Sequence, residues 1–240
     1  MQQRSRSDGF VSPITFWADD EWVGPKDLFI ALCAAERFGD SCRLFEVGLW
    51  RGGWLLHMAK NLGLHQVSAL DPYPGLGEIR ASTIERFVQE GIELALYSSW
   101  EEVPDVLIDV AHVDGEHSEA AALRDLESVA RRLSDRGIIA VDDWMRPHRA
   151  GVNSAVHMFL REWDYRIVAL TEFKAYLVRE AHAEGWHSWL QPRLERAEGL
   201  RIRLDEVPFG LSSSYSESHA VLGFEPLVWI GKPNSNLKPV

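Results

Sequence analysis

From Arg43 to Arg179 the chain alternates short apolar runs with longer stretches of helical periodicity, the pattern of a parallel α/β sheet. Strands are expected at Leu44-Phe45-Glu46-Val47, Gln66 to Leu70, Glu93 to Leu96, Val106 to Val113, Gly137 to Val141, Tyr165 to Leu170 and Lys174 to Arg179. Helices are expected at Trp54 to Leu62 and Ile79 to Glu90, stopped by Gly63 and Gly91, and at Glu119 to Leu133 and Val152 to Trp163. In the third of these, Leu123, Leu126, Ala130 and Leu133 make one apolar face. Only Thr171-Glu172-Phe173 separates the last two strands. A link so short cannot carry a parallel crossover, so that pair should be antiparallel. Upstream, Gly24-Pro25 opens another helix, stopped by Gly39, with Leu28, Phe29, Leu32 and Ala35 on its buried face.

The two ends depart from this alternation. Residues 1–24 read as a loosely ordered arm carrying Phe10, Phe16, Trp17 and Trp22, so that 1–42 form an arm and a helix before the sheet. Residues 180–240 are rich in aromatics (Trp186, Trp189, Phe209, Tyr215, Phe224, Trp229) and finish on a strand-like stretch, Val221 to Ile230. They read as a substrate-side or dimer-side appendage to residues 43–179, and a length of 240 residues suits one α/β domain with extensions.

Charge narrows the partners. With 25 Lys and Arg against 36 Asp and Glu the formal charge is −11, which disfavours nucleic acid and anionic membrane and suits a small neutral or cationic acceptor. Cys33 and Cys42 are the only cysteines, the N-terminal residues carry no apolar signal, and no run is long enough to span a bilayer, so a cytoplasmic protein is expected. The aromatic ends suggest a homodimer contact.

Glu46-Val47-Gly48-Leu49-Trp50-Arg51-Gly52-Gly53 lies between the first strand and its helix. Glycines there permit a tight turn and close approach to a ligand, and the helix start offers free N–H groups. The run is not G-x-G-x-x-G, and a strand-end acid suits a cationic, phosphate-free ligand better than a pyrophosphate. Asp71 ends the second strand, 25 residues after Glu46, where an acid can accept hydrogen bonds from ribose hydroxyls. Asp71-Pro72 would equally start a turn. Two acids at adjacent strand ends, with the glycine loop between them, favour a nucleoside.

Residues 43–179 resemble the class I S-adenosylmethionine-dependent methyltransferases, a Rossmann-like, doubly wound fold whose seven-stranded sheet ends in an antiparallel strand. The loop from Glu46 through Gly48, Gly52 and Gly53 is similar to that family's first motif, and Leu70-Asp71-Pro72 to its second. The resemblance implies that the glycine loop holds the methionine moiety, Asp71 the ribose, and Ser98, Ser99 and Trp100 the adenine.

Val113-Asp114-Gly115-Glu116-His117 follows the fourth strand and Val141-Asp142-Asp143-Trp144 the fifth. Adjacent parallel strands would bring Asp114 close to Asp142 and Asp143, and three crowded carboxylates need a compensating cation or raised pKa values. An oxygen cluster with room for water suits Mg²⁺, or Mn²⁺ or Ca²⁺. Alternatively the pair caps the next helix or pairs with Arg146, Arg149 or Arg51. The arrangement resembles the divalent-metal-dependent sugar O-methyltransferases of the macrocin and mycinamicin group, with an Asp after strand four, an acidic pair after strand five and the 28-residue interval between Asp114 and Asp142. That resemblance implies a general base at His117, three residues beyond Asp114, and metal ligation by Asp114, Asp142 and Asp143. The catechol-type enzymes carry Asp-Asn where this chain has Asp142-Asp143. Among other histidines His112 lies inside a strand and reads as a satisfied core residue, while Trp144 is the candidate wall for the acceptor. The expected activity is methylation of a hydroxyl on a sugar or other secondary metabolite. A catalytically silent S-adenosylmethionine-binding scaffold and an NAD-dependent oxidoreductase are the alternatives.

Overall fold

The computed structural model describes residues 25–171, 173–199 and 226–228. The aromatic arm before Pro25 and most of the expected strand around Val221 to Ile230 lie outside the described residues. In chain order the elements are α1 (Pro25–Glu36), β1 (Leu44–Val47), α2 (Gly53–Leu62), β2 (Gln66–Leu70), α3 (Gly77–Gln89), β3 (Glu93–Tyr97), β4 (Ile108–Val113), α4 (Glu119–Arg132), β5 (Leu133–Val141), α5 (Ala150–Glu162), β6 (Tyr165–Leu170), β7 (Ala175–Arg179), α6 (Ala183–Gly199) and β8 (Leu227–Val228).

The strands form one sheet in the order β3-β2-β1-β4-β5-β7-β6-β8. β1 to β5 are parallel, β7 runs antiparallel between β5 and β6, and the short β8 adds a parallel edge to β6. The expected seven strands and the antiparallel turn are therefore present, with β7 inserted beside β5. The fold is the Rossmann-like sheet of the class I methyltransferases, covered on both faces. α1, α2, α3 and α6 bury Leu28, Trp54, Leu55, Phe87 and Trp186 against one face, and α4 and α5 bury Leu126, Val129, Val156 and Phe159 against the other. α6 had no counterpart in the expected elements. Its Trp186, Leu190 and Leu194 are fully buried, and it covers β6 and β7 beside α1. Among the described residues no helix is long and apolar enough to cross a membrane.

Local chemistry sets the element ends. Ser118 caps α4, its hydroxyl accepting from the Ala121 N–H, and Glu119 in the first turn and Arg131 and Arg132 in the last suit the helix dipole. α4 then passes directly into β5, four residues earlier than the Gly137 start that the apolar run suggested. Val106 and Leu107, expected in β4, lie before it and are exposed.

At the opposite edge from the site, Arg43 clamps β1 to β4. Its backbone N–H (3.0 Å), Nε (2.8 Å) and Nη2 (2.8 Å) all donate to the carboxylate of Asp109. Burial alone would raise the Asp109 pKa, but the hydrogen bonds from Arg43 and its positive charge outweigh it and hold the group below its usual value. A depressed folded-state pKa gives stability that is present above about pH 4 and lost as the pH falls through the folded value. Asp109→Asn is thus expected to lower Tm at pH 7, with the gap to the parent narrowing on acidification toward pH 3. A gap that widens on acidification would contradict the clamp.

Candidate active site

The carboxyl ends of β1, β2, β4 and β5 open into a cleft of about 1340 Å³. Its first half is the glycine loop. Gly48 has φ 82° and passes directly over the backbone of Asp114 and Gly115, so that β1 and β4 ends are in contact through main chain. Gly52 (φ 73°) leads into α2, where a side chain would meet the Phe87 ring 2.5 Å away. Trp50, between them, also adopts a left-handed conformation (φ 48°), and the loop is pinned where the Asp71 carboxylate accepts from Trp50 N–H at 2.9 Å and Tyr73 N–H at 2.8 Å. The Tyr73 hydroxyl donates to the Trp50 carbonyl from the other side.

Asp71 therefore ties the second strand end to the loop while lining the cleft with Gly53, Ser98, Ser99 and Trp100. Trp100 stacks on Phe45, 5.7 Å between ring centres, and donates its indole N–H to Asp125 at 2.9 Å. Asp125 and Ser128 on α4 belong to this wall and were not singled out from sequence. Burial pushes the Asp125 carboxyl up.

The second half is the acidic edge. The Asp114 N–H donates to the Val47 carbonyl (2.8 Å) and the Asp142 N–H to that of Val113 (3.0 Å), so successive strand ends step along one line. Asp114, Asp142 and Asp143 do meet there. A left-handed Asp143 (φ 57°) separates the paired acids, and they take different partners. Asp143 lies 3.0 Å from His117 Nε2, 2.8 Å from Arg146 Nε and 3.3 Å from Arg149 Nε. Asp114 lies 3.4 Å from the same His117 nitrogen and is ion-paired with no Lys or Arg among the described residues. Asp142 is bound by the ammonium of Lys174 and lies 3.6 Å from His112 Nε2.

Lys174 and His112 extend this edge into the sheet. Lys174 Nζ is 2.8 Å from His112 Nε2, and His112 Nδ1 is 2.8 Å from Glu46 Oε1. Trp54 of α2 stacks on the His112 ring at 4.5 Å. His112 is thus satisfied, as a core histidine should be, but its partners are charged and it lines the cleft. Burial raises the Glu46 pKa above the usual carboxylate range. Burial would also raise that of Asp142, yet the Lys174 ammonium and the His112 ring hold it well below that range. Burial and the neighbouring ammonium lower that of His112, but hydrogen bonds to Asp142 and Glu46 leave it raised.

Trp144 corrects an expectation. It is 4% exposed, packs against His157 with 5.3 Å between ring centres, and belongs to the core under α5 rather than to the side chains that line the cleft. Left-handed residues flank it on both sides, Asp143 (φ 57°) and Met145 (φ 66°). Arg146 and Arg149 line the cleft instead.

The donor set can be weighed against a divalent cation. One atom each from Asp114, His117 and Asp143 lies within 4.8 Å of the others, as does one each from His112, Asp114 and Asp142. Carboxylate oxygens around an open Asp114 suit a hard cation. The fit centres on Asp114 and Asp143, because Lys174 already occupies Asp142.

A glycine turn after β1, an acid after β2 and an antiparallel β7 in a doubly wound sheet make up the fold of the class I S-adenosylmethionine-dependent methyltransferases. Residues 45–144 match a family described as a methyltransferase domain. That match favours methyl transfer over the oxidoreductase alternative. The structure is similar to an O-methyltransferase from Bacillus cereus solved with S-adenosylhomocysteine, at 17% identity and a TM-score of 0.51 over 65% of this chain and 82% of that one. It is similar to the O-methyltransferase NovP at 15% identity and a TM-score of 0.52, over 64% of this chain and 78% of the other. A third similar structure is CalS11, a TDP-rhamnose 3'-O-methyltransferase of calicheamicin biosynthesis, at 18% identity and a TM-score of 0.50 over 64% and 78%. A search of curated proteins by sequence gives no match.

If Asp71 holds the ribose as well as the loop, Asp71→Ala should weaken S-adenosylhomocysteine binding about tenfold or more, since a charge-assisted hydrogen bond is worth roughly 1.5–3 kcal/mol. Calorimetric titration measures this, and unchanged affinity would leave Asp71 with the turn alone.

Proposed function

We propose that this enzyme methylates a hydroxyl oxygen of a small molecule, a sugar or another secondary metabolite, with S-adenosylmethionine as donor, a divalent cation assisting and His117 receiving the proton. The observation that carries the reading is the meeting of Asp114 and His117 from the end of β4 with Asp142 and Asp143 from the end of β5, beside the glycine loop. The sugar O-methyltransferase among the similar structures supports the acceptor class.

Asp114 and Asp143, with Asp142 as a third carboxylate where Lys174 releases it, would hold Mg²⁺, Mn²⁺ or Ca²⁺, which when bound supplies Lewis acidity that makes an alcohol proton easier to remove. Asp143 and Asp114 fix the His117 ring at the cleft wall, 28% exposed and open to an acceptor. Glu46, Gly48, Gly52, Gly53 and Asp71 seat the donor, with Ser98, Ser99 and Trp100 on its adenine side. The acceptor oxygen then forms its bond to the methyl carbon as the carbon–sulfur bond breaks, leaving S-adenosylhomocysteine and a protonated imidazole. Most of the rate comes from holding oxygen, carbon and sulfur in line.

A metal-free version of the same reaction has one observation in its favour, since Lys174, Arg146 and Arg149 already pair with Asp142 and Asp143. Chelation separates the two. With labelled S-adenosylmethionine and a panel of hydroxylated acceptors, EDTA should abolish transfer and Mg²⁺ restore it, and full activity in EDTA removes the cation. His117→Ala should lower kcat about 10²–10⁴-fold with S-adenosylhomocysteine affinity unchanged.

A further inference from the structure

An acidic chain of net charge −11 suggests a neutral or cationic acceptor, but the acceptor half of the cleft is built differently. Lys174, Arg146 and Arg149 line it together with Asp114, Glu116, Asp142 and Asp143. Lys174 is buried and fully engaged by Asp142 and His112. The two arginines are not. Both pair with the same carboxylate, that of Asp143, and among the described residues neither guanidinium has another anionic partner. Neither Nε makes an aligned hydrogen bond, so one carboxylate already shared with His117 serves both groups poorly. The Arg146 guanidinium carbon lies 4.2 Å from the centre of the Phe173 ring, itself half exposed. The Arg146 and Arg149 side chains are 29% and 40% exposed.

The reaction adds positive charge at this point. The donor brings a sulfonium, and a cation in the proposed site would compete with both arginines for Asp143. The chain offers those guanidiniums no further carboxylate among its described residues. We infer that the acceptor supplies the missing anion: its hydroxyl is carried on a molecule with a carboxylate or phosphate group, which Arg146 and Arg149 grip together. Each guanidinium is a planar fork whose paired N–H groups match either oxyanion, and two forks side by side fix both position and orientation. The inference rests on the O-methyltransferase reading, and it replaces the neutral or cationic acceptor that overall charge suggests.

Calorimetric titration of the full chain, loaded with S-adenosylhomocysteine and Mg²⁺, tests it with glucose 1-phosphate, glucuronate and glucose. One of the two anions should bind and glucose should not, and which anion binds distinguishes phosphate from carboxylate. Arg146→Gln with Arg149→Gln should weaken that binding about tenfold or more while S-adenosylhomocysteine affinity stays unchanged. Arg149→Gln alone, which leaves Arg146 on Asp143, gives a smaller loss of the same sign and guards against a folding defect in the double variant. Repeating the anion titration in EDTA separates the two ideas, because binding that survives chelation keeps the anionic acceptor even if the metal fails. The inference is overturned if neither anion binds better than glucose, or if the arginine variants bind the anion as tightly as the parent.

Discussion

Replacing Gly48 by alanine should abolish cofactor binding and lower Tm by roughly 5–15 °C. The added Cβ would fall on the carbonyl oxygen of Asp114, 2.5 Å from its carbonyl carbon and 2.8 Å from the Gly115 Cα. These are main-chain atoms at the end of a central strand, so no side-chain rotation relieves the clash. Overpacking of this kind costs about 1–3 kcal/mol, and the left-handed φ of 82° adds about 1 kcal/mol for any residue with a Cβ. Relief requires the loop to lift from β4, which reshapes the cleft where the proposed donor would sit. Thermal unfolding and S-adenosylhomocysteine titration report the two effects separately. A variant that melts and binds like the parent would mean that loop and strand do not touch.

Lys174→Met should cost up to about 3–5 kcal/mol at pH 7, because it leaves Asp142, whose side chain is only 15% exposed, charged and without its ammonium partner. The carboxyl is held below its ordinary range by Lys174 and His112 against the effect of burial. In the parent this gives stability present above about pH 4 and lost below it. Without the ammonium, burial pushes the same group upward, so protonation on acidification should relieve the variant while it weakens the parent. The stability gap measured by denaturant unfolding should therefore shrink from pH 7 to pH 4. Adding Asp142→Asn to Lys174→Met should recover much of the loss, since a neutral pair has no uncompensated charge. A single-variant cost below about 1 kcal/mol would show that the pair is solvated rather than buried.

The sheet was legible because each strand is a short apolar run and each helix a periodic one, and the acids at strand ends followed from it. Lys174 was not. Its place beside Asp142 depends on β7 lying next to β5, where Ala175 pairs with Val141. Sequence shows that β6 and β7 run antiparallel but not which of them enters the middle of the sheet. His112 has the same history: it pairs across with Glu46 on one side and Ala140 on the other, and only the lateral order of strands reveals how charged its surroundings are. α6 carried a signal that went unread. Trp186, Leu190 and Leu194 recur every four residues and are all buried, but Pro192 and the intervening charged residues mask the stripe. Trp144 failed for a local reason, because left-handed residues on either side of it point the ring inward, and a non-glycine residue gives no warning of that.

The row Glu46, His112, Lys174 and Asp142 draws on β1, β4, the start of β7 and the end of β5. It works as a ruler laid across the top of the sheet, graduated in hydrogen bonds, with the glycine loop at one end and the acidic pair at the other. A slip of any one strand would misread both ends together, so the row leaves little room for variation. On the reading proposed above, new acceptor preferences are more readily written into the segment from Met145 to Arg149, which hangs beyond the ruler's edge.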